Sequence, residues 1–198
     1  MTARAGSTPS CTSRRRWRSS PRLGGGLIRV AKGIYRPNQG AGYSDWNPYV
    51  TFYLSKGIVL KGGYAGSSGP NPNDRDVVAY ETILSGDLNL DDEPLTRPSE
   101  TAEDYSHTDN CFHVVVTSGT DSTTILDGLT ITGGHAFTKE SPFYEPRVAE
   151  ICEYGGGIYN DQGSPIIRNC VITGNGSASF GGGIYTRGLP TPTLINCT

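Results

Sequence analysis

Methionine is nearly absent from this chain, at 1 of 198 residues, and only 18% of the residues are charged. From Ile125 onward no segment of ten or more residues carries apolar side chains at 3.6-residue spacing. That excludes a helical bundle and any repeat that needs a helix in each unit. No run approaches the roughly 18 apolar residues of a membrane span. The five cysteines (Cys11, Cys111, Cys152, Cys170 and Cys197) form no C-x-x-C pair, which excludes a zinc ribbon, and their odd number closes no disulfide framework. No Gly-x-Ser-x-Gly element, phosphate-binding loop or dinucleotide fingerprint occurs. The net charge of −2 gives no general attraction to nucleic acid.

Glycine, by contrast, is abundant, at 27 residues, and apolar residues make up 35% of the chain. That balance suits many short strands joined by tight turns. Charge is unevenly placed. Six arginines (Arg4, Arg14, Arg15, Arg16, Arg18 and Arg22) and no acid precede Leu27, so the net charge divides into +6 before that residue and −8 from it onward. "SRRRW" lacks the apolar stretch that follows a twin-arginine export signal. Residues 1–26 are therefore read as a disordered basic segment without a specific role and not native to the remainder.

The most informative feature is repetition. "GGGIYNDQGSPIIRNCVITGN" starts at Gly155 and "GGGIYTRGLPTPTLINC" at Gly181, 26 positions later, while Asn169-Cys170 and Asn196-Cys197 are 27 apart. An earlier copy, "ILDGLTITGG", aligns Leu129 with Cys170 and Ile131 with Ile172 at an offset of 41, which places about 15 inserted residues in "HAFTKESPFYEPRVAEICEY". Each copy holds short, β-branched, alternating runs bounded by Gly, Asn and Pro. A three-residue strand with one apolar side cannot bury that side alone; stacking successive coils in register does so. Leu129, Cys170 and Cys197 then form one inner ladder. Asn169 and Asn196 stack at a bend that requires left-handed backbone, with Gly128 at the same place in the earlier copy. On this reading Cys170 and Cys197 are buried free thiols, because in-register parallel strands orient a disulfide poorly.

The first half reads as degenerate coils: "LIRVAKGIYRP", two strands around Lys56-Gly57, one in "YETILSGDLNLDD", and two or three in "CFHVVVTSGTDSTTILDGLTITGG". Long polar loops interrupt at 36–49, 66–79 and 89–110 and are expected to bulge outward from the stack. The predicted fold is all-β, a parallel β-helix over residues 27–198.

The segments "TFYLSKGIVLKGGYAG", "ETILSGDLNLDD", "DNCFHVVV" and "LDGLTITGG", with the "GGGIY" coils, resemble bacterial right-handed parallel β-helix proteins of the pectin-lyase-like fold. The Gly-Gly-x-Ile and Ile-x-x-Asn elements (Gly156 to Ile158 with a variant glycine, Ile172 to Asn175) are similar to repeats of polymorphic outer-membrane autotransporter passengers. The resemblance covers residues 27–198. It implies a right-handed solenoid from a secreted or cell-surface protein, truncated here and continuing in further coils. It also implies a possible chemistry: lyases of this fold hold Ca²⁺ with acidic side chains against a uronate, and hydrolases set aspartates across parallel strands.

Against that background, Asp87, Asp91 and Asp92 form the densest acid cluster and are the candidate Ca²⁺ ligands, although the loop lacks the glycine and final glutamate of a helix-loop-helix calcium site. A solvated acidic loop is the plainer reading. Asp127 and Arg168 fall at equivalent repeat positions and are expected to form a weak outward surface pair. His113 is read as a hydrogen-bonded structural histidine. Phe137, Phe143 and Tyr144 in the insertion are the candidate carbohydrate- or partner-contacting aromatics, with burial against the coil as the alternative. No catalytic residue is assigned. The expected function is a non-catalytic surface segment serving adhesion or contact with polysaccharide or a cell-surface protein, with a polysaccharide lyase or glycoside hydrolase, or a structural stalk, as rivals.

Overall fold

The computed structural model describes residues 25–39, 47–93, 105–137 and 152–198. The chain winds in successive coils. The first contributes β1 (Gly26–Ala31) and β2 (Gly33–Tyr35); the second β3 (Phe52–Leu54), β4 (Ile58–Tyr64) and β5 (Thr82–Ser85). The third holds β6 (Val115–Ser118), β7 (Ile125–Asp127), β8 (Thr130–Thr132) and β9 (His135–Ala136). The fourth repeats that order with β10 (Ile158–Asp161), β11 (Ile166–Arg168), β12 (Val171–Ile172) and β13 (Gly176–Ser177), and the fifth holds β14 (Ile184–Arg187) and β15 (Thr193–Ile195).

Among the described residues, strands pair with their counterparts one coil away and not with their chain neighbours. The three main sheets run β1-β4-β7-β11-β15, β14-β10-β6-β3 and β12-β8-β5-β2, and β13 pairs with β9. Every strand pair is parallel. The protein is a parallel β-helix. Among the described residues no helix is long and apolar enough to cross a membrane.

Register converts the alternation of each strand into columns. Leu60, Leu126 and Ile167 are aligned in the first sheet, Phe52, Val115, Ile158 and Ile184 in the second, and Tyr35, Leu84, Ile131 and Ile172 in the third. All three columns meet in one core cluster, together with Leu129, Cys170 and Cys197. Each fully buried Ile or Leu contributes about 1.5–3 kcal/mol, which no single three-residue strand could collect unaided.

The bends are as regular as the strands. Between the first and third sheets, Gly128, Asn169 and Asn196 occupy successive coils at φ of 73°, 51° and 51°. Glycine takes this backbone freely and asparagine tolerates it. Asn196 Nδ2 donates to Asn169 Oδ1 at 2.9 Å, and Asn169 Nδ2 donates to Asp127 Oδ1 at 3.0 Å, so the amide ladder ends on a carboxylate. Asn175 stitches the next bend: its Nδ2 donates to the carbonyls of Ile131 and Thr173, and its Oδ1 accepts from Gly134 N, all at 2.9 Å.

The loop 66–79 does not simply bulge outward. Arg75 forms an antiparallel bridge with Tyr64, and its Nε donates to Gly62 O at 2.9 Å. A Cβ on Gly128 would lie 2.5 Å from Val77 Cγ1 and 2.6 Å from an Arg75 guanidinium nitrogen. The loop thus folds back over the bend column, and Gly128 is the residue that leaves room for it.

Candidate functional site

Two side-chain constellations stand out, one aromatic and one acidic. The first grows from the glycine repeat. Tyr53, Val116, Tyr159 and Tyr185 form the outward column of the second sheet. Just ahead of the glycine triplets, Tyr154 and Phe180 are joined by a parallel bridge. Their rings stack at 5.9 Å between centroids and 3° between planes, Tyr154 stacks on Tyr185 at 4.7 Å, and Tyr185 on Tyr159 at 5.8 Å. His113 continues the series beneath, 5.0 Å from the Tyr159 ring. Tyr159 is buried, Tyr154 and Tyr185 are half-buried, and Phe180 is 67% exposed. The result is a shelf of flat rings whose inner members are fixed by packing and whose outer members meet solvent. Arg187 and Asp161 both lie close enough to the Tyr159 hydroxyl to act on its charge. Rings with an apolar face beside charged groups recognise ligands that are themselves half apolar and half hydroxylated.

The second constellation lies where the segment after β5 meets the turn before β6. Ligand oxygens of Asp87, Asp91 and Asp92 fall within 4.8 Å of one another. Asp87 is fixed by the local backbone, its carboxylate accepting from the N–H groups of Leu90, Asp91 and Asp92. Asp92 accepts from Asn110 Nδ2 at 2.9 Å and contacts His107 Nδ1 at 2.7 Å. Burial pushes Asp92 above the usual carboxylate range, against the bonds from His107 and Asn110. Asp109 joins the group from the 3-10 turn Tyr105–Asp109; burial, with repulsion from Asp91, Asp87 and Asp92, raises it to about 6.

Asp127 and Arg168 correct the expectation of a weak surface pair. Asp127 is only 2% exposed. It accepts from Arg75 at 2.8 Å, from Arg168 Nε at 3.1 Å and from Asn169 at 3.0 Å. Burial raises its pKa, but the bonds from Asn169, Arg75 and Arg168 outweigh this and hold it below the usual range. Arg75 could not be paired with it by repeat spacing, because it arrives from the folded-back loop. This arrangement is a structural clamp.

Of the remaining candidates, His113 is buried, with Nδ1 3.0 Å from Gly155 O, and burial lowers its pKa to about 4 despite that bond. Leu129, Cys170 and Cys197 are brought into the same core cluster, with backbone bonds from Val171 N to Leu129 O and from Thr198 N to Cys170 O. Cys170 and Cys197 are free thiols, but only Cys170 is buried as expected; Cys197 is half-buried, and burial pushes Cys170 up to about 11, which leaves it unreactive at neutral pH. Phe137 is half-buried and stacks on His135 at 4.4 Å. Phe143 and Tyr144 lie outside the described residues.

The sequence reading missed the aromatic shelf although a signal was present. "YGGGIY" and "FGGGIY" place rings at both ends of each glycine triplet, 26 residues apart. In comparisons with family models, curated proteins and solved structures, the chain finds no match.

Proposed function

We propose that this chain is a non-catalytic segment of an extracellular or cell-surface protein whose lateral face contacts polysaccharide. The observation that carries the reading is the shelf formed by Tyr154, Phe180 and Tyr185, anchored on Tyr159. Aromatic faces are negative and pack against the slightly positive C–H faces of sugar rings, while flanking polar groups take the hydroxyls. Parallel coils repeat at about 4.8 Å, so the shelf extends along the axis and favours a chain-like ligand over a compact one. The resemblance of residues 27–198 to pectin-lyase-like right-handed β-helices, and to autotransporter passenger repeats, supports the same surface setting.

The experiment is retention of the full chain on a panel of immobilised polysaccharides. Phe180→Ala and Tyr154→Ala are each expected to weaken the best retained glycan about 3- to 10-fold, the worth of one aromatic contact. Retention unchanged in the double variant would remove the shelf from the account. The appearance of unsaturated uronate absorbance or new reducing ends would favour the rival reading as a lyase or hydrolase.

A further inference from the structure

We propose that the acidic constellation is a site for one calcium-type divalent cation, held by Asp87, Asp91 and Asp92 with Asp109 adjoining them. Three of these carboxylates converge within 4.8 Å. The independent sign of a missing partner comes from the adjoining turn. Asp109 is 7% exposed, its Oδ2 is enclosed without a hydrogen-bond donor, and it interacts electrostatically with all three other carboxylates. Asn110, 2% exposed, is in the same state: its Nδ2 is committed to Asp92, while its Oδ1 is enclosed and unbonded. Enclosed carboxylate and amide oxygens are ordinarily bonded, and leaving one empty is costly. Two of them beside three converging carboxylates lack a positive centre. Arg36 donates through Nη1 to the Leu88 carbonyl at 2.5 Å and, among the described residues, forms no ion pair with these carboxylates.

The donor set is all oxygen, which selects a hard cation over zinc or copper. Carboxylate oxygens within 4.8 Å of one another can reach one shared cation at the roughly 2.3–2.6 Å bond lengths of Ca²⁺. Asp87 and Asp92 are already oriented by backbone N–H groups, Asn110 and His107, so the site is prepared. Asp91 is exposed and gives the ion a route in. A bound cation would tie the segment after β5 to the turn that leads into β6, and so fasten the second coil to the third. This site is remote in chemistry from the aromatic shelf, and the proposal does not rest on glycan binding.

The test uses calcium alone on the full chain, prepared in chelator. Calorimetry is expected to show a single saturable site. At a hundredfold excess of Ca²⁺ over Kd the melting temperature should rise by about 5–10 °C. Asp91→Asn should not lower the melting temperature in chelator, because this side chain is exposed and its charge repels Asp109, and should weaken Ca²⁺ at least tenfold. Asp109→Asn should also lower affinity, with its fold checked by a β-type circular-dichroism spectrum. No heat and no melting shift at millimolar Ca²⁺, or equal affinity in Asp91→Asn and the parent, overturns the proposal.

Discussion

Asp127 shows how much one side chain can hold in a fold made of three-residue strands. It accepts hydrogen bonds from Arg75, Arg168 and Asn169 while almost fully covered. Asp127→Ala would strand two guanidiniums and an amide. Breaking a buried ion pair costs about 3–5 kcal/mol; with both arginines roughly one-third exposed, about 2–3 kcal/mol is expected, read from the urea midpoint. His113 makes the complementary test through pH. Its folded pKa, about 4, lies below the unfolded value of about 6.5. The unfolded chain therefore takes up the proton first as pH falls. The stability associated with neutral His113 is complete above about pH 6.5 and is lost progressively down to about pH 4, a change on the order of 3 kcal/mol. In His113→Asn, unfolding measured at pH 7 and pH 4.5 should differ by less than in the parent. An unchanged difference would remove His113 as the cause.

At the scale of elements, the bends decide which substitutions the coils tolerate. Gly128 and Gly119 both have positive φ, 73° and 58°. A Cβ at Gly119 meets nothing within 4 Å, whereas at Gly128 it would strike Val77 and Arg75. Gly119→Ala should therefore cost only the backbone strain, about 1–2 kcal/mol, and Gly128→Ala at least about 1 kcal/mol more by displacing the loop. Comparable losses in chemical denaturation would contradict the folded-back placement of that loop. The contrast also marks where sequence stops being informative. The Asn169 and Asn196 bends, the short strands and the inner positions Leu129 and Cys170 were legible because repetition places like residues above like. Arg75 and Val77 were not, since a loop between coils carries no period and its return over Gly128 depends on tertiary contact. The acidic site was half legible. Asp87, Asp91 and Asp92 are close in sequence, but Asp109 and Asn110 reach them only because one coil stacks on the next.

Across the whole molecule, in-register stacking explains both constellations. Parallel coils bring Tyr154 onto Phe180 and Tyr159 onto Tyr185, and the same winding sets the turn before β6 against the segment after β5. Nuclear magnetic resonance on the full chain with an oligosaccharide of the best retained glycan tests the central claim most directly. Ring currents should move sugar C–H protons upfield, with intermolecular Overhauser contacts to Phe180, Tyr154 and Tyr185. Contacts confined to Phe137 or the acidic turn, or none at saturating ligand, would contradict it.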